Sequence, residues 1–74
     1  MPYVNIKITK EGATEDQKAA LIAGTTEMLA DLLGKSPKTT FVVIDEVDLE
    51  NWGIGGLPVI EFRNANATEQ SRRE

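Results

Sequence analysis

An α+β fold, a β-α-β unit followed by a short C-terminal strand, is the class this sequence predicts. Three observations carry that expectation. An alternating segment opens the chain, a long segment with helical spacing follows, and a continuously apolar, β-branched run comes after it.

From Tyr3 to Thr9, Val4, Ile6 and Ile8 fall on one face and Tyr3, Asn5 and Lys7 on the other, the period of a half-buried strand. Lys10, Glu11, Gly12 and Ala13 then form a polar connection. Thr14, with Gln17 three residues later, is a capping box, which predicts a helix over Glu15–Leu33. Its stripe of Lys18, Leu21, Ile22, Thr25, Met28, Leu29 and Leu32 suits a helix lying across a sheet, and Gly34 supplies the stop. The run from Thr40 to Asp45 is apolar in its middle, as a central strand covered on both faces would be. A crossover of this kind makes the two strands parallel and right-handedly connected, with the helix on one sheet face. The other face and the strand edges stay bare, so the unit is expected to pair with a copy of itself. Val47 to Trp52 reads as irregular and Gly53-Ile54-Gly55-Gly56 as a turn. Leu57 to Phe62 reads as a short strand, which Pro58 restricts to an edge or a strand start. The domain is therefore expected to span residues 1–63, with a polar surface tail over 64–74.

A chain of 74 residues is short for a self-sufficient core, and without cysteine neither disulfides nor a zinc–thiolate site can support it. Self-association is the remaining route. The net charge of −4 and the absence of a Lys/Arg cluster argue against nucleic acid as a partner. No segment suits a membrane span or a secretory signal, so a soluble cytoplasmic protein is expected, with no membrane partner. The acidic run Asp45, Glu46, Asp48 and Glu50 lacks the spacing of a calcium loop, and the glycines at 53–56 lack the Lys-Ser/Thr of a phosphate cradle. No metal and no cofactor are assigned. Histidine is absent, so any general base must be something else.

Pro2 is the candidate. Initiator methionine is normally removed from Met-Pro, leaving a secondary amine at the head of an ordered strand. An α-amino group has a pKa near 8, and apolar surroundings lower it toward neutrality, where a general base works best. Proline at position 2 alone would carry little weight, since about 5% of residues are proline. The wider pattern carries more. Met-Pro-Tyr-Val-Asn-Ile-Lys-Ile is followed by Glu11-Gly12, Thr14-Glu15-Asp16-Gln17-Lys18, Val42-Val43-Ile44-Asp45-Glu46 and Asn51-Trp52-Gly53-Ile54-Gly55-Gly56. In order and spacing these segments resemble the 4-oxalocrotonate tautomerase family, from Met1 to about Gly56.

The resemblance implies a β-α-β protomer, a dimer with a four-stranded sheet and helices on one face, and commonly a hexamer built as a trimer of dimers. It also implies that an N-terminal proline, here Pro2, moves a proton between carbons of an enol or dienol 2-oxo acid. Trp52 matches the family's aromatic pocket residue. Two substrate-gripping arginines of the type member are replaced here by Ala13 and Phe41, and neither can offer a bidentate fork to a carboxylate. Phe41 and Trp52 are then read as pocket walls. Among the nearby cations Lys10, Lys38 and Arg63, the first and last rank highest as substitute substrate-binding residues. The expectation is an isomerase of the 4-oxalocrotonate tautomerase type acting on a small unsaturated 2-oxo acid, with Pro2 as base and Trp52 contributed by a neighbouring chain. Two alternatives stand beside it: hydration or dehalogenation with a protonated Pro2, and a self-assembling homologue without chemistry.

Overall fold

The computed structural model describes the backbone of residues 1–73 and the side chains of residues 1–66. Strand β1, Tyr3–Thr9, pairs in parallel with β2, Phe41–Val47, in the register Tyr3↔Phe41 through Thr9↔Val47. Helix α1, Glu15–Leu33, is the crossover between them.

β1 and α1 have the bounds the sequence predicts. The capping box at the start of α1 is present: Gln17 donates its backbone N–H to Thr14 Oγ1 at 3.1 Å, and Gln17 Oε1 accepts from the Thr14 N–H at 2.9 Å. At the other end Gly34 takes the left-handed conformation, φ 66°, and its N–H donates to the Ala30 carbonyl at 3.0 Å. A Cβ at Gly34 would meet nothing within 4 Å, so the whole penalty of a side chain there is conformational. Gly34→Ala is expected to cost about 1–2 kcal/mol, read by chemical denaturation at fixed protein concentration.

β2 begins one residue later than the expected Thr40 and runs on past Asp45 to Val47. Thr40 is drawn out of the strand because its hydroxyl donates to the Ser36 carbonyl at 2.8 Å, closing a 3-10 turn over Pro37–Thr39. The far end is extended by Lys10, whose backbone N–H donates to the Val47 carbonyl at 2.8 Å.

Among the described residues, only one face of β2 is covered within the chain. Glu46 is paired with Lys18 of α1, so Val42, Ile44 and Glu46, together with Val4, Ile6 and Ile8, form the face toward the helix. Phe41 and Val43 point to the opposite, open face and are 52% and 40% exposed. A two-stranded sheet is also too narrow to cover the whole apolar stripe of α1. Thr25 and Leu29 are half-buried, whereas Leu21, Met28 and Leu32 remain exposed.

After a 3-10 turn over Leu49–Asn51, two short strands, β3 (Gly53–Ile54) and β4 (Leu57–Pro58), form an antiparallel hairpin. Gly55 and Gly56 turn it with φ of 61° and 82°, the pair of positive angles that a type I′ turn requires. The strand expected over Leu57–Phe62 ends at Pro58, and helix α2 occupies Val59–Arg73. Val59, Phe62 and Asn66 are its covered positions among the described side chains, a helical spacing that a six-residue apolar segment does not disclose. Pro58 has no N–H to give to a strand ladder and sits directly ahead of the first helical turn, where none is needed. The backbone therefore passes position 63 without a break, and residues expected as a tail are helical to Arg73; the side chains of residues 67–74 lie outside those described.

Packing within the chain is thin. Val59, 6% exposed, is the one buried hydrophobic residue of the described set. The accessible surface is 5701 Å², against roughly 4,500 Å² for a compact monomer of this mass. The radius of gyration is 16.9 Å, against about 11 Å for a compact domain of this length. Among the described residues, no helix is long and apolar enough to cross a membrane.

Candidate functional site

The predicted site residues lie at opposite ends of the parallel strand pair. At the head of the strands the Pro2 carbonyl accepts the Phe41 N–H at 3.0 Å. That bond ties the residue carrying the candidate amine to the first residue of β2. Pro2 is half-buried, whereas Met1 before it is 85% exposed. Phe41 pairs with Tyr3, and both aromatic rings stand on the open face of the sheet. The contact between Phe41 and Pro2 is thus made by the backbone, while the ring at position 41 stands on the open face beside Tyr3.

Lys10, Arg63 and Trp52 belong to the other end. Lys10 follows β1 directly, so eight residues of extended chain put it roughly 26 Å from Pro2. Its ammonium has no ion-pair partner among the described residues. Trp52 follows the 3-10 turn after β2; its N–H donates to the Leu49 carbonyl at 3.2 Å, and its own carbonyl accepts the Val59 N–H at 2.8 Å. The residue is half-buried. Lys38 sits apart from this group, in the 3-10 turn before β2.

The Arg63 guanidinium is engaged. It grips Glu11 with both prongs, Nη1 to Oε1 at 2.5 Å and Nη2 to Oε2 at 3.0 Å, while the Thr9 hydroxyl also donates to Glu11. The Arg63 hydrogen bonds, then that of Thr9, pull the Glu11 carboxyl from its ordinary 4.5 to about 2, and the Arg63 pKa is raised in return. A carboxyl lowered on folding adds stability above its unfolded value; with both side chains open to water that addition is small, and it is lost as pH falls from 4.5 through about 2. Carbon-13 NMR of the Glu11 carboxyl should show a midpoint below the ordinary carboxylate value, moving back up toward it in Arg63→Gln.

Sequence reasoning passed over Glu11 as a functional residue, because its partner is 52 positions away on a helix that local patterning does not announce. It also missed a polar group on the open sheet face. Asp45 accepts from Lys7 Nζ at 2.9 Å and from Asn5 Nδ2 at 3.0 Å, and these donors, Lys7 first, hold its carboxyl below the ordinary value. Neighbouring Glu46 points to the other face, toward Lys18. Ala13 lines an open groove of about 630 Å³ with Gln17, Ala20, Leu21, Gly24 and Met28 along the exposed side of α1, and none of these side chains ionises.

Known proteins place these features in context. A family model described as tautomerase enzyme matches residues 2–62. The chain is similar to probable tautomerase K2 of Dickeya dadantii (strain 3937), 62% identical over 63 residues that make up 85% of this chain and 94% of that protein. Its fold is similar to the crystal structure of DmpI from Helicobacter pylori, with a TM-score of 0.79 and 40% identity over 85% of this chain and 97% of the other. It is also similar to a 4-oxalocrotonate tautomerase isozyme of Methylibium petroleiphilum, with a TM-score of 0.74 and 36% identity over 82% of this chain and 97% of the other.

Proposed function

The chain belongs to the tautomerase family, and from that premise we propose that it moves a proton between carbons of an enol or dienol 2-oxo acid, with the Pro2 amine as general base. The amine becomes available when Met1 is removed. It takes an acidic proton from the dienol and returns it to a carbon further along the conjugated system, so one group serves in turn as base and as acid. The observation that carries this reading is the bond between the Pro2 carbonyl and the Phe41 N–H, which fixes the proline at the head of the parallel strand pair.

A complete pocket needs both ends of the strand pair, and a single chain keeps them roughly 26 Å apart. Antiparallel pairing of two protomers along a free strand edge brings the head of one sheet to the tail of the other. In that arrangement Pro2 and Phe41 of one chain face Trp52 and Lys10 of another. Trp52 closes the pocket to water, and the Lys10 ammonium meets the substrate carboxylate in place of the arginines absent at Ala13 and Phe41. The sheet becomes four-stranded with both helices on one face. The exposed Leu21, Met28 and Leu32 of α1, and Phe41 and Val43 on the opposite face, supply surface for further contacts, in keeping with a trimer of dimers. Sedimentation should show about six chains at micromolar concentration; a monodisperse monomer would overturn the shared site.

The decisive assay is a panel of 2-hydroxydienoates and related enol acids given to the Met1-free protein. Isomerisation without net addition of water supports the tautomerase reading. Products of hydration or dehalogenation would instead indicate a protonated Pro2, and silence across the panel a homologue that has kept only its assembly.

A further inference from the structure

We infer that Glu11 and Arg63 form a positioning clamp that holds Trp52 at the tail of the strand pair. The inference rests on the reading of Trp52 as a pocket wall and deepens it.

The first turns of α2 hold the segment that carries Trp52 at two points. The Val59 N–H bonds the Trp52 carbonyl at 2.8 Å, and Val59 is itself buried. One turn on, the Phe62 ring lies against the hairpin bend, 3.6 Å from where a Cβ on Gly55 would stand. Arg63 is the next residue, and its fork on Glu11 fastens this helical turn to the loop that leaves β1. Thr9, the last residue of β1, braces Glu11 from the strand side. The line of support therefore runs from β1 through Glu11 and Arg63 into α2, and through Val59 to the tryptophan backbone.

Energetics distinguish such a clamp from a stabilising bridge. The two side chains are 48% and 41% exposed, and ion pairs so open to water contribute little to folding. Paired N–H···O bonds in a planar fork still impose a direction and a distance. Losing them should leave the chain folded while relaxing the placement of Trp52.

The chain has a single tryptophan, so its emission reports on Trp52 alone. Fluorescence and acrylamide quenching of the assembled, Met1-free protein should be compared for wild type, Arg63→Gln, Glu11→Gln and the charge-swapped pair Glu11→Arg with Arg63→Glu. Both single variants are expected to shift emission to the red and to ease quenching at nearly unchanged unfolding midpoints, and the swap to reverse both. In the assay kcat should fall on the order of tenfold to a hundredfold, the cost of displacing a pocket group by about an ångström, with KM changing less. Should Arg63→Gln fail to fold, Glu11→Gln breaks the paired fork from the loop side, leaving a single neutral acceptor, and carries the test. Unchanged emission and quenching in the folded single variants would overturn the clamp, as would a swap that restores neither. The fluorescence readout needs no turnover. A protein inactive on every enol acid but showing the shift and its rescue would lose the tautomerase reading and keep the clamp.

Discussion

A chain that keeps a residue ahead of Pro2 is expected to lose proton-transfer activity by roughly 10²–10⁴-fold relative to one that begins at Pro2, the usual contribution of a positioned general base. In peptide linkage the Pro2 nitrogen is an amide, its lone pair is delocalised, and it takes no proton near neutral pH. The rest of the proposed pocket would be intact, so binding should survive better than turnover and the loss should fall on kcat. Pro2→Ala, processed to expose its own α-amino group, is the milder change, because a primary amine of similar basicity remains but without the ring that restricts its orientation. Its activity should lie between the two. A pH–rate profile of the processed protein should rise through the pKa of the amine, since only the neutral form is a base. The half-buried setting of Pro2 favours that form, so the rise should fall below the ordinary value near 8. An extended chain with full activity would remove Pro2 from the mechanism altogether.

Much of this fold was legible because its signals are local. Alternation over seven residues delimits β1, and the Thr14–Gln17 box with Gly34 delimits α1 at both ends. Sequence reading failed where a longer-range choice decided the outcome. Thr40 has the β-branched character of a strand residue, yet its hydroxyl is satisfied by Ser36, and the strand starts after it. The apolar surface of α1 is wider than two strands can cover, and no spacing rule says which part a narrow sheet will choose. The start of α2 reads as a strand because Leu57 to Phe62 is short and apolar, too short for a period of two to be told from one of three to four, and the polar residues from 64 onward read as a tail.

The site divides in the same way. Pro2 stands out as the candidate from the combined motif, and the bond of Phe41 to its carbonyl shows that the residue is held at the strand head. Arg63 was legible as a nearby cation, but its engagement depends on a helix that the strand reading hid. Once α2 is in place, Arg63 follows Val59 by one turn and reaches Glu11. With Arg63 held by Glu11, the proposed reading assigns the incoming carboxylate to Lys10, which has no ion-pair partner among the described residues.

Mixing two impaired variants is expected to raise activity if the pocket is shared between chains. Pro2→Ala would damage the head of every strand pair and leave the tails intact, whereas Trp52→Ala would damage every tail and leave the heads intact. Alone, Trp52→Ala should lose on the order of tenfold or more in kcat/KM, because one wall of the pocket opens to water and the local dielectric rises around the amine. Each homogeneous assembly then has one defect in every site. When the two chains are co-refolded in equal amounts and associate at random, about a quarter of the sites draw an intact head from one variant and an intact tail from the other. Activity should therefore rise to about a quarter of the wild-type value, well above the mean of the separate variants, and should vanish on dilution if the subunits part. A pocket formed within one chain predicts no such gain, since every chain would still carry a defect in its own site. The parallel register makes that outcome the unexpected one: Pro2 is fastened to the first residue of β2, and Trp52 follows its last, with the full length of the strand between them.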